Sequence, residues 1–263
     1  MAAMIERLFM RVKGIILRIR IKYIGKRQWM HGLEKRQICL GQFFKDVEDD
    51  YLLTDLTFRA GGSGVLDYLF LKEIATKYAL KSYLEIGTYI GESIACMEDV
   101  CEKRISITAP PEHCRSMSNY CKLSNMTDFS NRLVGDGVKQ YLADSREFDF
   151  NIIKDDIDLY FIDADHSYGG VYNDTKKVFE HKNENSFVVW HDFRWESFLF
   201  YEEGIQAVVD AIGLEQFGQV YCCDNNKCGI FVPLKYREDF ERLCRYDKNV
   251  LYTYEVKMQM KIR

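Results

Sequence analysis

Past residue 50 the chain alternates short apolar runs with stretches of helical periodicity. The runs fall at 82–87 (SYLEIG), 104–108 (RISIT), 131–136 (NRLVGD), 157–163 (IDLYFID), 186–192 (SFVVWHD) and 228–233 (CGIFVP). Leu66, Leu69, Phe70, Ile74 and Tyr78 share one side of a helix predicted over 64–80, after a Gly61-Gly62-Ser63-Gly64 loop. Further helices are predicted over 91–102, 169–181 and 201–213. Runs this short and this apolar, separated by helices, imply parallel strands covered on both faces. The expected fold class is therefore α/β, a doubly wound sheet that binds ligands beyond the C-terminal ends of its strands. No linker, repeat or low-complexity tract divides residues 51–263, which read as one domain behind an N-terminal extension, residues 1–50.

That extension has its own pattern. Ile5, Leu8, Phe9, Val12, Ile15, Ile16 and Ile19 recur at helical spacing, with Arg7, Arg11, Lys13, Arg18, Arg20 and Lys22 largely on the other face. Residues 17–23 also alternate apolar and basic, which suits a strand equally well. A basic amphipathic helix over 4–24 suits peripheral contact with an anionic membrane surface. The same apolar face suits packing on the protein's own core, or on a second copy in a homodimer.

Charge sharpens this contrast. The 263 residues carry a net charge of −4, but residues 1–36 hold ten Lys or Arg against two Glu; that local +8 leaves −12 for the rest. An acidic body repels phosphate, so nucleic acid is not an expected partner. No uncharged apolar run approaches the roughly 20 residues of a membrane-spanning helix, and basic residues interrupt what would otherwise resemble a secretory signal. Nine scattered cysteines make neither an even disulfide framework nor paired zinc-binding motifs, and read as thiols in a reducing cytoplasm, with the inner face of a membrane the one surface the extension suggests.

The sharpest local signal is Leu84-Glu85-Ile86-Gly87-Thr88-Tyr89-Ile90-Gly91-Glu92-Ser93, an apolar strand running through a glycine turn into a helix. The spacing is G-x-x-x-G, so neither the dinucleotide fingerprint nor a nucleoside-triphosphate loop is present. Glu85 puts negative charge where a pyrophosphate would sit, which disfavours phosphate and suits a cationic amino-acid group.

This decamer resembles motif I of class I S-adenosylmethionine-dependent methyltransferases, especially the metal-dependent O-methyltransferases. The resemblance extends through GVLDYLFLKEIA, FIDADHSY and VVWHDF, covering about residues 60–235, and FIDADHSYGGVYNDTKKV is similar to small-molecule and sugar O-methyltransferases. It implies a Rossmann-like, mostly parallel seven-stranded sheet and methyl transfer to a hydroxyl of a small molecule or glycan. It implies that Glu85, Gly87, Gly91 and Ser93 hold the methionyl part of S-adenosylmethionine, with Asp136, in the turn after the third strand, facing the adenine. It implies Asp163 and Asp192 as ligands of a divalent metal, Mg²⁺ or Mn²⁺, and His166 as the base. Such a metal would lower the pKa of a bound hydroxyl, and an imidazole of ordinary pKa near ~6.5 could accept its proton at neutral pH.

Three positions depart from that pattern. The acidic residue that relatives place at the end of the second strand is absent, with Glu112 the nearest substitute. The Asn after the second metal-binding Asp is Phe193. His191 precedes Asp192 where a related branch has Glu, and imidazole suits Mn²⁺ or Fe²⁺ better than Mg²⁺. His191 is therefore a third candidate ligand, an orienting residue or a base. The aromatic stretch Phe193–Tyr201 suits either stacking on an acceptor or core packing. Two other functions fit the same residues: an iron-binding oxygenase-like relative using Asp163, His191 and Asp192, or an inactive, membrane-docked interaction protein.

Overall fold

The computed structural model describes residues 5, 8–16, 32–47, 51–59, 61–110, 129–193, 199–245 and 249–260. Glu112, residues 17–24, residues 194–198 of the aromatic stretch, Cys114 and Cys121 lie outside them. In chain order the elements are β1 (Gln37–Ile38), α1 (Leu40–Phe44), α2 (Val65–Lys77), β2 (Ser82–Ile86), α3 (Glu92–Cys96), β3 (Lys103–Thr108), β4 (Val138–Leu142), β5 (Leu159–Ile162), α4 (Tyr168–His181), β6 (Phe187–Trp190), α5 (Leu199–Phe217), β7 (Val220–Cys223), β8 (Gly229–Phe231) and α6 (Arg237–Leu243). A helical stretch over 8–16 precedes them.

The strands form one sheet in the order β1-β7-β8-β6-β5-β2-β3-β4, all parallel to their neighbours except β8, which runs antiparallel to both β6 and β7. This is the Rossmann-like methyltransferase arrangement, with the chain order reversing between β2 and β5. The sheet has eight strands rather than seven. The extra one is β1, whose Gln37 and Ile38 pair with Cys222 and Cys223, so the sheet reaches into the segment read as an extension. Leu33, Ile38, Leu40 and Phe43 are accordingly buried in the core.

Period-two alternation along each strand divides the core into two layers. Leu84, Ile86, Ile105, Tyr160, Ile162 and Trp190 pack with Val178 of α4 and Ile205 and Val208 of α5. Tyr83, Leu159, Phe161, Phe187 and Val189 face the other way, onto Phe70, Leu71 and Ile74 of α2. Glu85 shares that second face and is fully buried within it.

One predicted strand moves. The run 131–136 is a turn, and the strand is Val138–Leu142. As an edge strand β4 is only half covered, so it carries Lys139 and Gln140 and lacks the continuous apolar run that marks its neighbours. Residues 131–134 instead fold along the glycine turn, where Asn131 N–H donates to Tyr89 O (2.6 Å) and Leu133 N–H to Ile90 O (2.9 Å). The helix predicted over 201–213 extends as α5, with non-helical backbone at Gly213. Among the described residues no cysteine is in a disulfide, and no helix is long and apolar enough to cross a membrane.

Candidate active site

Parallel strands bring their C-terminal ends to one edge, and backbone hydrogen bonds continue past the strands to tie those ends together. Gly87 N–H donates to Ile107 O (2.9 Å), Asp163 N–H to Ile86 O (2.9 Å) and His191 N–H to Ile162 O (3.0 Å). Three sequence-predicted positions thus stand side by side. Above them opens a cavity of about 390 Å³, bordered by residues 86–90, Glu92 and Ser93 of the turn, by residues 143–146 beyond β4, and by residues 163–166 beyond β5. That volume lies in the range of small-molecule sites.

The glycine turn is one wall. Gly87 has φ +94 and Gly91 φ +103, left-handed values that other residues rarely adopt. A Cβ on Gly87 would lie 2.2 Å from the Asp163 carbonyl oxygen, so the turn can press against β5 only with glycine there. Tyr89, with φ 48, lines the cavity too. Thr88 Oγ1 lies 2.5 Å from Ser106 Oγ and pins the turn to β3.

Glu85 does not border the cavity. Its Oε2 accepts from the Tyr83 hydroxyl (2.9 Å) and from Ser93 Oγ (2.6 Å), and its buried Oε1 has no hydrogen-bond partner. Burial raises this carboxyl to about 7, against the hydrogen bonds that favour its charged form. Ser93 does reach the cavity, so Glu85 acts behind it. The carboxylate on the wall is Glu92, which accepts from Tyr68 Oη (3.0 Å) and from the Thr57 N–H. Sequence reasoning passed over Glu92, although its place directly after Gly91 puts it at the first turn of α3.

Asp136 is likewise displaced. It lies exposed in the turn before β4, at the far end of that strand from the cavity. The error follows from the misplaced strand. Asp144, two residues past the end of β4, borders the cavity and is held by Arg146 through Nε (2.9 Å) and Nη2 (2.7 Å).

The opposite wall carries Asp163 and His166. Asp163 Oδ2 accepts from Ser63 Oγ (3.0 Å), and its Oδ1 lies 3.1 Å from His191 Nδ1 and 3.9 Å from His166 Nε2. Asp192 Oδ2 is 3.4 Å from His166 Nδ1, and its Oδ1 is 3.5 Å from His191 Nδ1. The structure therefore assembles Asp163, His166, His191 and Asp192 into one cluster. His166 is 55% exposed and open to a substrate, whereas His191 is 6% exposed. Asp192 holds φ 53, a left-handed value that Asp tolerates better than most residues.

Behind the cluster stands Asp67, a 2%-exposed carboxylate at the start of α2. It accepts from Gly64 N–H (2.7 Å) and Lys227 N–H (2.9 Å), and its Oδ2 lies 3.3 Å from His191 Nε2. Burial opposes charge on His191, but Asp163 first and Asp67 next outweigh it and hold the imidazole well above its ordinary range. Burial likewise works to raise Asp163 and Asp67, and His191 more than offsets it, so both carboxyls sit below their usual range. Asp67 was not singled out from the sequence; its signal is the helix-start position three residues after Gly64.

Asp163, Asp192 and His191 are the positions the sequence offered as ligands of a divalent cation, and they do stand together. The buried His191 Nδ1 has no aligned hydrogen bond. The distances are those of ion pairs, and among the described residues no group of three such side chains stands in ligating geometry. Phe193 is 2% exposed, stacked 5.9 Å from Trp190, and belongs to the core.

Residues 84–193, from β2 to just past β6, match the family model described as "Methyltransferase domain". The chain is 26% identical over 118 residues to the uncharacterized protein R132 of Acanthamoeba polyphaga mimivirus, covering 43% of this chain and about half (53%) of that relative's length. Among solved structures it is similar to an O-methyltransferase from Bacillus cereus in complex with SAH, at 15% identity and TM-score 0.47, over 73% of this chain and 94% of that one. It is also similar to the SAH-bound methyltransferase PaMTH1 of Podospora anserina, at 16% identity and TM-score 0.45, over 65% and 80%.

Proposed function

We propose that this protein transfers the methyl group of S-adenosylmethionine to a hydroxyl of a small molecule or sugar. One observation carries the reading: a single cavity joins the glycine turn to the Asp163–His166 wall, and its lining is acidic. Glu92, Asp163 and Asp165 border it beside an Asp144 already matched by Arg146. A sulfonium donor with an α-ammonium group is cationic, and such a lining favours it over phosphate.

The donor would lie along the Gly87–Ser93 turn, its adenine toward Asp144. An acceptor hydroxyl entering from the other side would meet His166. That imidazole lies 3.9 Å from Asp163 Oδ1 and 3.4 Å from Asp192 Oδ2 and would take the hydroxyl proton. The alkoxide would then attack the methyl carbon in line with the C–S bond, forming the O–CH3 bond as S-adenosylhomocysteine leaves, so positioning would supply much of the acceleration. Asp163 and Asp192 would hold a divalent cation, which would supply Lewis-acid activation of that hydroxyl.

The test begins with donor binding. S-adenosylmethionine or S-adenosylhomocysteine at a hundredfold excess over Kd should stabilise the fold by about 2.7 kcal/mol, and no thermal shift with either sinks the proposal. Labelled donor incubated with metabolite and glycan fractions, with and without chelator, then reports both acceptor class and metal dependence.

A further inference from the structure

The N-terminal helical stretch sits on the domain the unexpected way round. Gly14 is buried against Glu203 and Tyr168, Met10 lies against Gly169, and Lys13 Nζ reaches Asp210 (3.1 Å) and the face of Tyr168 (5.1 Å). The apolar residues point outward. Ile5, Leu8, Phe9, Val12, Ile15 and Ile16 are all exposed, between 45% and 64%. At about 100° per residue they fill one continuous arc, with Arg11 at one margin, Lys13 at the other, and Met10 and Gly14 opposite. Among the described residues, no part of the protein's own core covers this face.

We infer that this outward face is a docking surface for an anionic lipid bilayer. Charge decides the occupant. The face lies in the segment carrying net +8, on a body carrying −12. Pairing the face with a second copy of itself would bring two such basic segments together. An anionic bilayer instead takes the apolar residues below its headgroups and the flanking Arg11 at them, while repelling the acidic body, which fixes the orientation. The helix touches Tyr168 and Gly169, and Gly170 borders the cavity, so docking holds the loop carrying His166 close to the lipid surface. This inference does not depend on the methyl-transfer reading.

The test is flotation of the full chain with vesicles of phosphatidylcholine containing about 30% phosphatidylserine, against phosphatidylcholine alone. At least about tenfold more protein should float with the anionic vesicles, and most should be released at about 1 M salt, where the Debye length is roughly 3 Å. The variant Leu8→Glu/Phe9→Glu/Val12→Glu, changed only at exposed positions, should lose binding while keeping its circular dichroism spectrum. If that variant misfolds, Phe9→Trp serves: its added emission should shift to the blue on anionic vesicles alone. The inference falls if binding is absent, equal on neutral vesicles or unchanged in the triple variant, if the Trp reporter does not shift, or if the face instead drives self-association that the triple variant abolishes.

Discussion

The two walls of the cavity are built on different principles. The Gly87–Ser93 turn is a matter of shape: left-handed glycines, a backbone pressed on β5, and a carboxyl, Glu85, shut away from the cavity it supports. The facing wall is a matter of charge: Asp67, Asp163 and Asp192 gathered round His191, with His166 at the open rim. Shape of the first kind tolerates no added atom. Charge of the second kind tolerates exchange of volume but not loss of a partner, because an uncompensated ion in a dry site costs more than the pair contributes.

The largest expected effect tests the shape wall. Gly87→Ala forces a Cβ to 2.2 Å from a backbone oxygen at an unfavourable φ; we expect at least about 3 kcal/mol of destabilisation and no thermal shift with S-adenosylhomocysteine. A variant as stable and as responsive as the parent would show that the turn is not pressed on β5. On the charge wall, His166→Ala should lower kcat by about 10²–10⁴ and leave the S-adenosylhomocysteine shift intact; loss of both together would place His166 on the donor side instead.

Asp67→Asn leaves His191 facing two carboxylates without the third. About 3 kcal/mol should be lost in denaturant titration, at the lower bound for breaking a buried pair, and unchanged stability would remove Asp67 from the cluster. Glu85 gives the smallest and most specific signal. Its carboxyl is held near 7 in the fold and near the model-peptide value of ~4.3 when unfolded. The native state therefore binds the proton more tightly, and stability falls as pH rises from about 5 to about 7, then levels off. Glu85→Gln should remove that pH dependence, about 2 kcal/mol between pH 5 and pH 7; an unaltered pH profile would mean that another group titrates there.

The same division explains what was legible in the primary structure. Gly87, Gly91, Asp163, His166 and Asp192 announce themselves through local motifs, and the structure brings them to one edge. Glu85 was legible as a position but not as a role, because alternation along β2 turns it to the α2 face. Asp136 was drawn in by reading 131–136 as a strand. Asp67, nearly a hundred residues from Asp163, carried no motif linking it to His191.

Local pattern alone determined the alternation of strands and helices, the glycine turn, the acidic strand ends and the basic amphipathic start. All depend on neighbours within a few residues, where backbone preference and periodicity act. Tertiary structure decided the rest: that Gln37–Ile38 would complete the sheet, that Asp144 and not Asp136 would meet the cavity, that Asp67 would hold His191, and that Met10 and Gly14, rather than the apolar arc, would face the protein. Each depends on which surfaces distant segments leave unpaired, and that is settled only when the whole core closes.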